Sequence, residues 1–325
     1  MMDFYATLGA ACAARETLAE MFREGMTAAR LNLSHTGLAA CAPLLAEFRA
    51  AAEETGVSPR LVIDLQGPEL RVGRLAEPAA LTEGGETVLG AGGVPVPQIV
   101  LDTARRGDRI ALDDSALLLE VRACERGALR CRVLRGGTLQ SRKSLAILGR
   151  ETDAPALTEE DRENLAVAGR FGVTDVLQPF VRGAEDVRAV REALARAGLS
   201  SVRVMAKIEN RRALDHLDEI IDAADEICIA RGDLGNAMAL WELPRLQKEI
   251  AARCRGKGRL FCVATQLLWS MQERAVPTRA EVLDIYNAVL DGADGLMLTG
   301  ETAVGRYPVD AMRYLVRTAQ SATEK

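Results

Sequence analysis

Short apolar, β-branched runs alternate with longer segments of helical period along this chain. That alternation, broken once, restricts the fold more than any other feature. Residues 4–8, 27–33, 60–65, 174–180, 202–208, 226–231, 260–265 and 295–298 read as strands. Segments of helical spacing follow them, such as residues 15–23, where Leu18, Met21 and Phe22 share one face, and residues 38–55, 184–197, 212–223, 241–254, 279–290 and 308–323. Eight strands, each followed by a helix except at the break, predict an α/β chain folded as a TIM (β/α)8 barrel, whose chemistry gathers at the carboxyl ends of the strands. The break runs from about residue 72 to 149. It is rich in glycine and carries alternating segments at 109–112, 117–123 and 128–134, which read as a small β-barrel domain inserted after the third strand. The predicted division is therefore residues 1–71 with 150–325 for the catalytic barrel and 72–149 for an inserted lid. Gly90, Gly92 and Gly93 are turn formers there, since no helix or lysine follows to make a phosphate loop.

At 325 residues and 48% apolar the chain can bury a large core. Its net charge of −5 has no basic footprint and argues against nucleic acid as a partner. The seven cysteines include no Cys-x-x-Cys pair, which suits reduced thiols in the cytoplasm better than a disulfide frame or zinc site. No apolar run reaches spanning length, so no membrane is expected.

The polar residues at the strand ends carry the functional information. On a strand over residues 202–209, Lys207 and Glu209 point the same way. The next strand stops at Gly232-Asp233 and brings a second carboxylate alongside. A lysine and two carboxylates at adjacent strand ends suit a hard divalent cation beside a phosphate, because oxygen ligands hold Mg²⁺ while phosphate oxygens complete its shell. At the second strand, Arg30, Asn32 and Ser34 alternate onto the face opposite Leu31 and Leu33, and Asp64 closes the third. Each residue also has a plainer reading. Lys207 and Glu209 could be a strand ion pair, Thr265 an ordinary β-branched strand residue, His35 a cap and Lys143 an exposed turn; His216 reads as solvated.

In order along the chain, Arg30-Leu-Asn-Leu-Ser-His35, Asp64 with Gly67-Pro-Glu-Leu-Arg71, Ala206-Lys-Ile-Glu-Asn210, Ala230-Arg-Gly-Asp-Leu-Gly235, Ala264-Thr-Gln266, Pro277-Thr-Arg-Ala-Glu281 and Gly300-Glu-Thr-Ala303 resemble the motifs of pyruvate kinases. The resemblance implies transfer of the phosphoryl group of phosphoenolpyruvate to ADP, giving pyruvate and ATP, with Mg²⁺ or Mn²⁺ and K⁺. It implies that Glu209 and Asp233 bind the divalent metal and that Lys207 lies against the phosphoryl group. Arg30, Gly232, Asp233 and Thr265 would contact the substrate, Thr265 near the carbon that gains a proton. Asn32, Ser34, Asp64 and the carbonyl of Leu65 would form the K⁺ site. Arg30, Asn32, His35 and Arg71, with Lys143 of the inserted domain, would face the nucleotide.

The chain also departs from that pattern. Gln66 stands where the family has a lysine, Pro179 where it has a serine, Asn236-Ala-Met-Ala239 where it has Val-Glu-Ile-Pro, Lys143-Ser-Leu-Ala146 where it has Lys-Gly-Val-Asn, and Trp269 where it has a glutamate. The family's carboxyl-terminal effector domain has no counterpart in the sequence, so allostery through it is not expected. A homodimer through the barrel is left open. Two other functions fit the same metal centre: a barrel lyase or aldolase acting on pyruvate or oxaloacetate, and a weakly catalytic protein that binds phosphoenolpyruvate or nucleotide.

Overall fold

A computed structural model describes residues 2–34, 36–113, 115–150 and 154–323, and among these the chain divides into two compact units, Met1–Gly67 with Ala156–Lys325 and Pro68–Pro155. The larger unit is a closed barrel of eight parallel strands: β1 (Asp3–Thr7), β2 (Ala28–Asn32), β3 (Arg60–Asp64), β4 (Asp175–Gln178), β5 (Arg203–Ile208), β6 (Glu226–Ala230), β7 (Leu260–Ala264) and β8 (Gly295–Leu298). Neighbours pair in sequence order, and β1 pairs with β8 to close the ring. The expected (β/α)8 barrel with a β unit inserted after β3 is what forms.

Side-chain alternation divides the barrel into two apolar layers. Tyr5, Val62, Leu177, Met205, Cys228 and Cys262 point inward and fill the interior. Phe4, Ile63, Val204, Ile227, Ile229 and Val263 point outward beneath the surrounding helices. Space for Tyr5 comes from Gly295, where an added Cβ would lie 2.7 Å from the tyrosine ring. Near the carboxyl ends the inward positions become small, with Ala230 and Ala264, and these leave room for the long polar chains of β2 and β5.

The amino-terminal face holds a buried ionic cluster at the strand starts. The Arg60 guanidinium pairs with Asp175, reaches Asp3 at 2.5 Å and Glu226 at 3.3 Å, and donates to the Tyr5 hydroxyl at 2.6 Å. Arg203 closes the cluster on Glu226 at 3.0 Å. Asp175 and Glu226 are essentially inaccessible, so their charges stand only because these arginines compensate them.

One helix differs from its sequence outline. The segment expected at 212–223 is two helices, Arg211–Asp215 and Leu217–Ala223, broken at His216, which is exposed and lies 3.5 Å from Glu219. Asn210 caps the first of them by accepting from the Ala213 N–H at 2.8 Å.

The smaller unit is built on a six-stranded antiparallel sheet and a two-stranded one around its own core of Leu89, Ile110, Leu112, Leu119, Leu129 and Leu139. Leu70–Arg71 belongs to the larger of these sheets, pairing with Ser144 and Leu145. A short helix, Gln98–Thr103, sits among these strands where only strands and turns were expected. Six residues are too few to show a helical period convincingly.

Removing one side of the buried cluster leaves unpaired carboxylates. Arg60→Ala should therefore cost the barrel about 3–5 kcal/mol, read as a lower midpoint in denaturant unfolding followed by far-ultraviolet circular dichroism.

Candidate functional site

Three strand ends converge on Lys207. Its ammonium lies 2.9 Å from Glu209 Oε1 and 3.5 Å from Asp64 Oδ2, so the shared face expected of Lys207 and Glu209 is real. Burial works against the charge on Lys207, but Asp64 and then Glu209 outweigh it and hold the amine protonated. Arg30 sends Nε (2.9 Å) and Nη2 to Asp64 Oδ2, and Nη1 to the Thr7 hydroxyl at 3.0 Å; that hydroxyl donates to the Leu298 carbonyl. This single arginine thus ties together β1, β2, β3 and β8.

The charges at this centre do not cancel. Asp64, Glu209 and Asp233 face Lys207 and Arg30, three carboxylates against two cations. Burial first, and Asp233 after the opposing pull of Lys207, hold the Glu209 carboxyl above the ordinary carboxylate range. Asp64 Oδ1 is buried and accepts no hydrogen bond. A buried carboxylate oxygen without a donor, beside an excess of negative charge, is an arrangement that a bound cation relieves. The donors are all oxygens, which suits Mg²⁺, Mn²⁺ or K⁺ and not a soft metal. Among the described residues no three His, Cys, Asp or Glu side chains gather into a self-sufficient metal cluster. Two carboxylates fit an ion that keeps most of its shell for water and substrate.

Local backbone geometry aims these groups. Pro179 is followed by Phe180 at φ +51°, and in that turn the Phe180 N–H donates to Glu209 Oε2 at 2.7 Å. The segment that lacks the family's serine thus still supplies a donor, and spends it on Glu209. Asn32 Oδ1 accepts from the Ser34 N–H at 3.1 Å, and Ser34 is buried. At the end of β6 the short helix Arg231–Ala237 carries Asp233 in its first turn. The Gly232 N–H donates to Thr265 Oγ1 at 2.8 Å.

Thr265 has φ +73° and Gln266 φ +54°, a left-handed pair that is strained for a β-branched residue. Arg231 holds it there, with Nη2 on the Thr265 carbonyl at 2.7 Å and Nη1 on both oxygens of Asp284. Glu301 performs a similar task for the loops after β7 and β8. Fully buried, it accepts from the N–H groups of Leu268 (3.1 Å) and Thr299 (2.8 Å) and from the Thr299 hydroxyl. Arg231, Asp284, Thr299 and Glu301 were not singled out from the sequence. Arg231 and Glu301 sit inside motifs that were read only for their neighbours, and a buried strand-end charge is invisible until its partners are known.

The remaining expected residues are placed as follows. Lys143 lies 2.8 Å from Asp113, and Arg71 pairs with Glu69 and donates to the Arg142 carbonyl, all within the smaller unit. His35 lies outside the described residues. Thr278 and Glu281 of the Pro277–Glu281 motif form a capping box, in which Glu281 also accepts from the Ser270 N–H and hydroxyl. That motif is therefore at least partly a helix start.

A family model described as the pyruvate kinase barrel domain matches residues 2–312. The chain is 40% identical over 323 residues to a pyruvate kinase of Aeropyrum pernix, covering 98% of this chain and 70% of that protein. It is 36% identical over 325 residues to one of Geobacillus stearothermophilus, covering 96% and 55%. A Mycobacterium intracellulare pyruvate kinase is 39% identical over 324 residues, with 96% and 68% covered. The chain thus spans little more than half of one relative and about two thirds of the others.

Replacing Glu301 by Gln turns an amide NH₂ toward buried N–H donors. Glu301→Gln should cost about 1–3 kcal/mol and lower hydrogen-exchange protection at the Leu268 and Thr299 amides together, leaving β1 to β6 as they were.

Proposed function

The chain belongs to the pyruvate kinase family, and we propose that it moves the phosphoryl group of phosphoenolpyruvate to ADP, giving pyruvate and ATP. The observation that carries this reading is the protonated, largely buried Lys207 held between Asp64 and Glu209 at the carboxyl ends of the strands. Phosphoryl transfer depends chiefly on positioning and on positive charge around the moving group. Lys207 supplies that charge as a compact ammonium, and Arg30 supplies a second, wider one.

Both substrates are polyanions, and the centre's three carboxylates outnumber its two cations, so Glu209 holds its proton above the ordinary carboxylate range until a cation takes its place. Cations must accompany the substrates. Glu209 and Asp233 would hold Mg²⁺ or Mn²⁺, which when bound neutralises substrate oxygens as a Lewis acid. Asn32, Ser34, Asp64 and the Leu65 carbonyl would hold K⁺, and the unpartnered Asp64 Oδ1 supports that assignment. The substrate carboxylate is assigned to the N–H groups of Asp233 and of Gly232, the latter exchanging its bond to Thr265. Thr265 then stands beside the carbon that must gain a proton. Its hydroxyl is too weak an acid alone, so water delivers the proton through Thr265 Oγ1. On the barrel unit the nucleotide phosphates are assigned to Arg30 and Asn32. The family match favours phosphoryl transfer over the lyase and over the non-catalytic binder.

The reading includes a cytoplasmic location, supported by seven free thiols; no helix among the described residues is long and apolar enough to cross a membrane. It also includes a homodimer through the barrel. Leu283, Tyr286 and Leu290 recur at helical spacing on one exposed face of Arg279–Leu290, and Trp241, Trp269 and Val276 are exposed in the same part of the chain. Such a stripe suits a second copy of itself across a twofold axis.

A coupled assay with phosphoenolpyruvate, ADP, Mg²⁺ and K⁺ should show turnover, and Lys207→Ala should lower it by on the order of 10²-fold or more with the fold retained. Absence of turnover in protein that binds Mn²⁺ stoichiometrically would overturn the kinase reading. For the assembly, sedimentation equilibrium should give a dimer that Leu283→Glu with Leu290→Glu converts to monomer; a monomeric parent protein would contradict it.

A further inference from the structure

The chain leaves the barrel unit at Gly67 and returns to it at Ala156. One buried side chain, which neither the proposed catalysis nor the cation sites use, holds the two ends of that excursion. Asp161 is 1% exposed and sits in the first turn of the helix Glu159–Val167. Its Oδ1 accepts from the Gln66 N–H at 2.9 Å, and its Oδ2 accepts from the N–H groups of Gly67 at 3.0 Å and Thr158 at 2.9 Å. A helix cap needs only the last of these. The other two reach back 94 and 95 residues to the loop after β3.

That loop is where the proposed K⁺ site draws Asp64 and the Leu65 carbonyl. The Leu65 carbonyl and the Gln66 N–H belong to one peptide unit, which is planar and trans, so they point in opposite directions. Fixing the N–H on Asp161 therefore fixes the direction of the carbonyl. A full carboxylate charge on the N–H also polarises the unit and makes its carbonyl oxygen a better cation ligand. The next residue leaves little slack. Gly67 has φ +62°, and a Cβ there would lie 2.7 Å from the Pro179 ring, so the loop is confined from the opposite side.

We propose that Asp161 is a positioning residue for the monovalent cation: through the Leu65–Gln66 peptide it aims the Leu65 carbonyl, and it clasps the outgoing and returning connections of the inserted unit together. This inference rests on the K⁺ site of the proposed function. Outer residues that orient a ligand typically affect metal affinity by about 10–100-fold when lost. Thr158 provides a control, because its hydroxyl accepts from the Asp161 N–H at 3.0 Å and caps the same helix without touching the loop after β3.

The test compares the full-length protein with Asp161→Asn and Thr158→Ala. Thermal unfolding in KCl against tetramethylammonium chloride measures K⁺ binding without turnover, and amide hydrogen exchange reports on Gln66, Gly67 and Thr158. The expected result is a K⁺-dependent shift of the unfolding midpoint in the parent that needs about tenfold or more K⁺ in Asp161→Asn. Exchange protection should fall at Gln66 and Gly67 in that variant. Thr158→Ala should destabilise the protein while keeping both the K⁺ dependence and the protection at Gln66 and Gly67. Equal loss of K⁺ response in the two variants would reduce Asp161 to a helix cap and overturn the proposal. Unchanged K⁺ response in Asp161→Asn would overturn it as well. A parent with no K⁺ response but with Asp161-dependent protection at Gln66 and Gly67 would remove the K⁺ site itself, and with it the positioning role, leaving only the clasp.

Discussion

Burying the Lys207 ammonium is the constraint around which the carboxyl end of the barrel is arranged. A buried ammonium survives only beside compensating carboxylates, and Asp64 and Glu209 come from two different strands to provide them. Asp64 in turn binds Arg30, Arg30 binds Thr7, and Thr7 binds the carbonyl of Leu298, so the charge balance of one lysine runs around half the barrel. The small residues Ala230 and Ala264 make the space in which it can do so. Once Asp233 is counted, carboxylates outnumber cations by three to two, and Glu209 holds its proton above the ordinary range. The same count of three carboxylates to two cations holds at the amino-terminal face, where Arg60 and Arg203 serve Asp3, Asp175 and Glu226. The difference lies in placement. The lower cluster is sealed beneath the packed interior of Tyr5 and Cys262, whereas the upper one lies among loops that bend to serve it.

Several of those loops are held in conformations that their sequences would not choose alone. Thr265 and Gln266 take left-handed angles, and Phe180 does the same after Pro179. Each strain has an identifiable restraint: Arg231 and the Gly232 N–H on Thr265, and Glu209 on the Phe180 N–H. The departures from the family pattern read differently in this light. Pro179 removes a hydroxyl, but its turn presents the next N–H to the carboxylate proposed to hold the metal. Gln66 removes a positive charge, yet its backbone N–H is what Asp161 grips.

Much of the fold was legible because strand and helix periods differ and because a barrel repeats that difference eight times. Where strand ends were misplaced it was by one or two residues, as at residues 174–180 against Asp175–Gln178, since hydrophobicity continues past the last ladder bond. The Gln98–Thr103 helix and the break at His216 were not legible, because each depends on one or two turns of local packing. In the site, Lys207 and Glu209 could be placed together from strand alternation alone. Arg231, Asp161 and Glu301 could not, because their importance lies in backbone N–H and carbonyl groups far away in sequence. The motifs also mixed two kinds of residue. Asn210, Thr278 and Glu281 cap helices, while Lys207, Glu209 and Asp233 carry the charge.

The central claim is that the neighbouring carboxyl groups of Glu209 and Asp233 exist to hold a divalent cation beside Lys207. The most direct measurement is an anomalous difference map from crystals grown with Mn²⁺ and oxalate. The account predicts one strong peak about 2.1 Å from a carboxylate oxygen of both Glu209 and Asp233, with Lys207 Nζ close to the bound anion. A map with no peak between those carboxylates, or with its only peak elsewhere in the chain, would contradict it.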